Sequence, residues 1–441
     1  MLSAKNEKIK GHRVHFLGIG GIGMSALAKQ LYQIGFDVSG SDVNPLGAKN
    51  LLCNDSIVLN GENCIENSDT IVVSSAIGEN DKQLLQAKKL GKNIIYRAQL
   101  LNELSKNCKE FIGVAGTHGK TTVTSMIAHV LKAADANFTA HIGGLDSDFS
   151  NYASFGNDIF LAEICEYKKN IRYFSPDIAL VLNADNDHLE SYGNFSALRE
   201  EFISYLNRSK TAVFCDECNF KVVKNAVVFS VKNSKCDYCI QKNNSSENSC
   251  EYTVYEHGAR LFNIDLSNFT PHDSYNVIAV TAASRQLKIS GEIIKKGILS
   301  FRGIKRRNEI ICKWDKGVLI ADYAHHPKQI ELAITEYQRK YGNDCIFLFQ
   351  PHTFSRTRDL FADFVKALSP ASKLYLFKTY AARERYDETG SSERLASALK
   401  NAVFCGEVEA CKSIVNRLIG GDNSVIVLGA GDIYDHVIKS F

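Results

Sequence analysis

The residues from Gly113 to Thr122, Gly-Val-Ala-Gly-Thr-His-Gly-Lys-Thr-Thr, are those whose types and spacing most directly suggest chemistry in this chain of 441 residues. A glycine-rich turn that ends in Lys120-Thr121-Thr122 can aim backbone N–H groups at phosphate oxygens. The lysine adds a cation and a threonine hydroxyl can ligate magnesium. The strict G-x-x-x-x-G-K-[ST] pattern asks for glycine where Val114 stands, and Gly116 takes over part of that role in a shorter loop. Gly116, Thr117, His118, Gly119, Lys120, Thr121 and Thr122 are therefore the expected cradle of a nucleoside triphosphate.

A second glycine-rich turn lies near the start, where Gly18, Gly20 and Gly23 fit G-x-G-x-x-G in LGIGGIGM, with Gly21 between them. Asp42, in SGSD, falls where an acidic side chain meets a ribose hydroxyl. Alone, this turn suits a nicotinamide dehydrogenase. A hydride-transfer enzyme has no use for a triphosphate loop as well, whereas an enzyme that joins a nucleotide-linked substrate to something else at the cost of ATP uses both.

Three more groups stand just past apolar runs. Glu163 ends IFLAE, and Asp187-His188 follow ALVLN. With Thr121, Glu163 and His188 offer oxygen and nitrogen ligands for magnesium on ATP phosphates. Further on, ADYAHHP (321–327) and QPHTFSRTR (350–358) follow GVLI and CIFLF. Asp322 can orient a nucleotide or hold an arginine, His325 can bind a carboxylate or manage a proton, and Arg356 or Arg358 can clamp an anion. Arg306 and Arg307 can neutralise charge on a transferring phosphate.

These groups need strands that end beside one another. EFIGVA reads as a strand, and Val123, Met126, Ile127, Val130 and Leu131 form one stripe of an amphipathic helix after the loop. Strands and helices alternate through residues 1–108 (VHFL, TIVV, NIIY), restart over 109–302 (EFIGVA, IFLAE, DIALVLN, TAVFC, then a helix from near Ser274) and again over 303–441 (GVLIADY, CIFLFQ, KLYLFK, SVIVLGAGD). The fold class is α/β with three domains: a Rossmann-like N-terminal domain, a central P-loop ATP-binding domain with a mainly parallel sheet, and a Rossmann-like C-terminal domain. The polar run 241–250 reads as a surface loop.

Composition agrees with a globular multi-domain protein, at 45% hydrophobic and 23% charged residues. A net charge of +3 without long basic runs gives no footprint for nucleic acid. No stretch reaches the roughly 18 apolar residues that span a bilayer, so membrane insertion is not expected and a cytoplasmic location is. Thirteen cysteines in such a chain read as reduced thiols. Cys215-x-x-Cys218 and Cys236-x-x-Cys239 match a zinc-ribbon spacing, but strand alternation and the lack of glycine knuckles favour plain thiols.

The motifs HFLGIGGIGMSALA, SGSD, VVSSAI, RAQLL, GVAGTHGKTT, N-x-D-x-D-H-L (183–189), DYAHHP, FQPHTFSRTRDLF and GAGD occur in one order along nearly the whole chain. In this the chain resembles the Mur ligases of peptidoglycan synthesis. GIGGIGM together with DYAHHP and QPHTFSRT implies the member that uses ATP and Mg2+ to join L-alanine to UDP-N-acetylmuramate through an acyl phosphate. A sibling ligase adding a tripeptide or another amino acid, and a non-catalytic UDP-sugar sensor, are the alternatives. The resemblance implies UDP-sugar contacts at Gly18, Gly20, Gly21, Gly23, Asp42, Ser74 and Arg97. It implies ATP contacts at the phosphate loop, Asn276, Arg307 and Asp322, and substrate contacts at Tyr323, His325, Arg356 and Arg358. Lys120, His188, Arg307 and His325 are the expected catalytic group, and the C-terminal domain is expected to help bind the amino acid and close over the site. Two departures stand out: the family's E-A-D-E-S-D is Glu163-Ile-Cys-Glu166-Tyr here, and its G-x-H-N is Asp-Ser-Tyr275-Asn276. Arg199, in the helix after His188, stands where some Mur ligases have a carbamylated lysine, so no such modification is expected.

Overall fold

The computed structural model describes residues 8–61, 63–185, 189–221, 225–243, 250–267, 273–382 and 384–438. The chain divides between Arg302 and Gly303 into two compact units. His188 and Asp187 lie outside the described residues, as does most of the 241–250 run.

The first unit holds two sheets. In the smaller, β1 (Arg13–Leu17), β2 (Asp37–Ser41), β3 (Val58–Leu59), β4 (Thr70–Val73) and β5 (Asn93–Tyr96) pair in the order β3-β2-β1-β4-β5, all parallel. The order reverses beside β1, so the glycine turn after Leu17 opens at a topological switch point, where open sheets bind ligands.

The larger sheet comprises β6 (Glu110–Ala115), β7 (Phe138–Asp146), β8 (Ser150–Ser154), β9 (Ile159–Glu163), β10 (Ile178–Val181), β11 (Thr211–Cys215), β12 (Ala226–Ser230), β13 (Tyr238–Lys242), β14 (Glu251–Glu256) and β15 (Ala259–Asp265). Its order is β15-β14-β13-β12-β11-β10-β6-β9-β7-β8, parallel in the middle and antiparallel at both edges. β6 sits between β9 and β10 with Val114 beside Glu163 and Ala115 beside Val181, so three strand ends meet at the phosphate loop. The helix Lys120–Ala133 buries Val123, Met126, Ile127, Val130 and Leu131, each burial contributing about 1.5–3 kcal/mol.

Polar side chains fasten the helix Ile22–Gln33 to β7 and β8. Asn151, fully buried, donates to the Ile22 carbonyl (2.7 Å) and Ser25 Oγ (2.8 Å) and accepts from Lys29 Nζ (2.9 Å). Gln30 Oε1 meets His141 Nε2 at 2.7 Å, and Tyr152 donates to Gln33 at 2.9 Å. This zipper joins the two sheets into one unit.

His15, His129 and His141 are buried within it, and the folded environment acts strongly on the first and the last. Burial pushes His15, on β1 with Nδ1 on Ser39 Oγ at 2.8 Å, down to about 4. Burial, helped by the charge of Arg97, takes His141 to about 3. Below the ordinary value near 6.5 the unfolded chain binds protons that the folded chain refuses, so stability falls with pH until the folded values are reached. Thermal denaturation should show Tm dropping between pH 6.5 and 4, with His15→Asn removing a part of that slope worth of order 2–3 kcal/mol. An unchanged slope in His15→Asn would contradict the assignment.

In the second unit β16 (Glu309–Trp314), β17 (Gly317–Asp322), β18 (Ile346–Phe349), β19 (Lys373–Leu376), β20 (Ala402–Phe404) and β21 (Val425–Leu428) pair in the order β16-β17-β21-β18-β19-β20. Only β16 is antiparallel to its neighbour. The ends of β17 and β18 flank β21 and carry the ADYAHHP and QPHTFSRT loops.

Candidate functional site

The turn after β6 carries Gly116 at φ +131° and Gly119 at φ +81°, both in the region that favours glycine. Asn183, past the end of β10, braces it from one side. The His118 N–H donates to Asn183 Oδ1 (2.7 Å), Asn183 Nδ2 donates back to the His118 carbonyl (3.1 Å), and the Thr117 N–H donates to the Asn183 carbonyl (3.2 Å). Asp185 adds a backbone N–H to Thr117 Oγ1 at 2.9 Å and a carboxylate 3.4 Å from His118 Nε2. Asn183 and Asp185 are the first two fixed letters of N-x-D-x-D-H-L (183–189). Their bracing role comes from the β6–β10 pairing, which local spacing does not reveal.

Lys120 Nζ donates to the Gly116 carbonyl (2.6 Å) and to Glu166 Oε1 (3.0 Å). Burial pulls its pKa down, but the negative charge of Glu166, with Cys165 and Glu163 behind it, more than offsets this and holds the ammonium above its usual value. Glu166 is thus the counter-ion of the candidate catalytic lysine, a role that the departure in the acidic motif does not announce.

On the other side of the loop Thr121 Oγ1 donates to Glu163 Oε2 at 2.7 Å. A hydroxyl and a carboxylate side by side at a phosphate loop are the hard oxygen donors that magnesium takes, so the two residues fit the metal. Thr122 is half-buried in the first helical turn. Gly143 on β7 closes the space beside them: a Cβ there would overlap the Glu163 carboxylate.

The helix Asp273–Gln286 begins against the same loop. Asn276 is buried and donates to Asp273 Oδ1 (2.9 Å), while its Oδ1 has no hydrogen-bond partner among the described residues and lies 3.3 Å from where a Cβ on Gly119 would stand. Tyr275, in place of the family's histidine, donates to the Leu182 carbonyl.

In the early glycine turn, Gly18 and Ile19 donate to the Ser41 carbonyl (2.8 and 3.1 Å) and Gly21 to that of Gly18 (3.3 Å). Asp42 Oδ2 accepts from the Gly20 N–H and Oδ1 from the Asn44 N–H, both at 2.9 Å. Asp42 therefore braces the turn itself, and a ribose hydroxyl would use its remaining acceptor positions. Ser74 follows β4 and lies against Gly18. Arg97 Nη1 is 2.7 Å from where a Cβ on Gly23 would stand, and the guanidinium makes no hydrogen bond or ion pair with any described residue. An arginine so placed suits an anionic ligand.

The second unit gathers its own group. Asp322 accepts from the Asn308 N–H (3.0 Å), Tyr337 Oη (2.8 Å) and the Ala324 N–H (2.9 Å), so it fixes the segment after Arg307. Arg307 lies over the Tyr323 ring at 5.6 Å, Tyr323 packs edge-on to His325 at 5.1 Å, and His325 lies 6.1 Å from His352. Arg356 Nη1 is 3.5 Å from His352 Nδ1. Burial first, then Arg356, push His352 down to about 4, which leaves it neutral at pH 7. Sequence reading passed over His352, although it stands inside QPHTFSRT. Arg358 is already engaged: its guanidinium is held by Asp359 (2.8 Å) and Asp387 (2.9 Å), so the expected clamping of a substrate requires breaking one of these pairs.

The cysteine spacing does not assemble a four-sulfur group among the described residues. Cys215 donates to Glu217 (2.6 Å), Cys218 points at the Leu182 carbonyl (3.8 Å) and Cys239 at that of Ser234 (3.8 Å). Arg199 donates to the Cys218 and Asn219 carbonyls, each at 2.6 Å.

Family models match three segments: the catalytic domain of the Mur ligase family at residues 13–109, the Mur ligase middle domain at 114–284, and the glutamate ligase domain of Mur ligases at 306–431. The UDP-N-acetylmuramate–L-alanine ligase of Clostridium acetobutylicum is 36% identical over 98% of this chain and 97% of its own. The chain belongs to the Mur ligase family. Among solved structures, this Mur ligase is similar to a UDP-N-acetylmuramate–alanine ligase from Thermotoga maritima, with a TM-score of 0.82, 26% identity, and coverage of 97% of this chain and 98% of that one. A murein peptide ligase from Psychrobacter arcticus shares the fold at a TM-score of 0.76 and 19% identity, covering 98% of both chains. Among the described residues of this Mur ligase, no helix is long and apolar enough to cross a membrane.

Proposed function

We propose that this Mur ligase joins L-alanine to the carboxylate of UDP-N-acetylmuramate at the expense of ATP, as a step of peptidoglycan precursor synthesis in the cytoplasm. The observation that carries the reading is the pair of loops within one unit: a glycine turn beside Arg97, and a phosphate loop whose lysine is held by Glu166 and whose threonine meets Glu163. The near full-length relatives that act on UDP-N-acetylmuramate and L-alanine support it.

A carboxylate is a poor electrophile at neutral pH. Phosphate transfer from ATP turns one of its oxygens into a leaving group, and the alanine amine then displaces phosphate to form the amide. In this reading residues 1–108 take the sugar nucleotide through Gly18, Gly20, Gly21, Gly23, Asp42, Ser74 and Arg97. Residues 109–302 take ATP through Gly116 to Thr122 and Asn276. Lys120 swings from the Gly116 carbonyl onto the transferring phosphate and offsets its developing charge. Thr121 and Glu163, with His188 as the expected third ligand, would hold Mg2+, which when bound draws charge from the ATP phosphates. In the same reading residues 303–441 would offer Arg307 and Asp322 to ATP, and Tyr323, His325, Arg356 and Arg358 to the amino acid and acceptor, with His325 handling a proton.

The test is ADP release from purified protein supplied with ATP, Mg2+, UDP-N-acetylmuramate and a panel of amino acids. Release that requires both UDP-N-acetylmuramate and L-alanine is expected. Release driven only by a tripeptide would assign the chain to the murein-recycling sibling, and no release with any acceptor would favour a sensor.

A further inference from the structure

The turn that follows Glu166 carries an unusual backbone. Lys168 and Lys169 stand side by side at φ +50° and +58°, inside the segment Tyr167–Tyr173. Two consecutive left-handed residues that are neither glycine nor asparagine are strained, since their Cβ atoms crowd the following carbonyl. A turn selected for geometry alone would gain from glycine or asparagine at either position. Strain of this kind persists where the side chain has a task.

The side chain of Lys168 shows where the task lies. Its Nζ donates to the Ser75 carbonyl at 2.8 Å, reaching from the larger sheet to the loop after β4, beside the Ser74 that packs on Gly18. Ser191 Oγ accepts from the Lys168 N–H (3.2 Å), and Glu166 accepts at its carbonyl from the Lys169 N–H (3.0 Å) and Tyr192 Oη (2.6 Å), so the turn is pinned on both sides. Lys168 itself is exposed, with Glu79 the nearby carboxylate whose charge it influences. Glu79 already pairs with Lys88 at 2.6 Å. Among the described residues the ammonium of Lys168 has one hydrogen-bond partner, the neutral Ser75 carbonyl, with the Tyr167 ring 5.6 Å away, and it stands next to the Ser74 that packs on the first glycine turn. Two residues before Lys168, at the start of the same segment, Glu166 holds Lys120.

We infer that Lys168 is a specificity-determining residue for the acceptor, its ammonium reaching across to the Ser74–Ser75 loop to meet an anionic oxygen of the sugar nucleotide. This rests on the ligase reading above. A bound diphosphate or sugar carboxylate gives the ammonium the charged partner that the Ser75 carbonyl only stands in for, and such contacts are roughly twice as strong as neutral ones. The left-handed turn is what lets a side chain from the ATP-side sheet point toward the sugar nucleotide.

The experiment uses the full chain and compares Lys168→Ala, Lys168→Gly and Lys168→Arg by steady-state kinetics, by calorimetric titration with UDP-N-acetylmuramate and with a non-hydrolysable ATP analogue, and by thermal denaturation. Lys168→Ala and Lys168→Gly are expected to raise KM and Kd for UDP-N-acetylmuramate about tenfold while leaving those of the ATP ligand within about twofold. Lys168→Gly should melt at or above the wild-type temperature, because strain is relieved as affinity is lost, and Lys168→Arg should restore most of the binding. A lysine that only struts the fold would instead lower Tm and weaken both nucleotides alike, and that result overturns the inference. Unchanged sugar-nucleotide binding in the Ala and Gly variants also overturns it while leaving the ligase reading standing. A wild-type protein that binds no UDP-N-acetylmuramate would bring down both.

Discussion

Lys120→Ala should abolish ATP turnover, by at least about 10³-fold in kcat, while UDP-N-acetylmuramate binding stays near that of the parent protein. The lysine is the only ammonium that the described structure places on the phosphate loop, where it bonds the loop's own Gly116 carbonyl and Glu166. Removing it deletes the charge that would follow the transferring phosphate. It also breaks the ion pair with Glu166, 1% exposed, and removing one member of a buried pair costs about 3–5 kcal/mol. The double variant Lys120→Ala/Glu166→Gln should therefore recover Tm but no activity, which separates chemistry from folding. The sugar-nucleotide turn uses other backbone groups and other side chains, so its binding should survive. Joint loss of ATP turnover and sugar-nucleotide binding in a folded double variant would show that the two sites are not distinct.

Gly143→Ala should lower kcat about 10²-fold with little change in Tm, measured by ADP release and thermal denaturation on the same preparation. Gly143 is exposed and its φ is not left-handed, so the backbone tolerates alanine. The added methyl meets the Glu163 carboxylate, the end of a flexible side chain that yields by rotating away. Rotation breaks the 2.7 Å bond to Thr121 and scatters the oxygen pair proposed to hold magnesium. The damage therefore falls on catalysis and on the magnesium dependence, which should shift to higher concentration. Wild-type kinetics in Gly143→Ala would remove Glu163 from the proposed metal site.

What could be read in the sequence was whatever is local. The phosphate loop announces itself because strand, glycine turn and helix follow within about two dozen residues, and its burial stripe repeats at the helical period. The early glycine turn is legible for the same reason. Glu163 and the two loops of the second unit were legible as polar groups directly after apolar runs. What pairs with what was not, because the order β10-β6-β9 joins segments far apart in the chain, and no periodicity encodes it. Asn183 as the brace of the phosphate loop and Glu166 as the partner of Lys120 depend on that order. So does the turning inward of Asp42, whose carboxylate closes on Gly20 only once β1 and β2 lie side by side. Arg358 looked equivalent to Arg356 at a spacing of two residues. The helix Phe354–Asp359 turns the two to different sides, and Asp359 and Asp387 capture Arg358. The left-handed pair Lys168–Lys169 has no sequence signal at all, since lysine is not a residue that advertises a positive φ.

The proposed ligase activity requires two nucleotides to occupy one unit at the same time. Isothermal titration of a non-hydrolysable ATP analogue into protein already saturated with UDP-N-acetylmuramate tests this most directly. The expected result is one further equivalent bound, with the sugar nucleotide still in place. Displacement of the uridine ligand by the adenine one would contradict it.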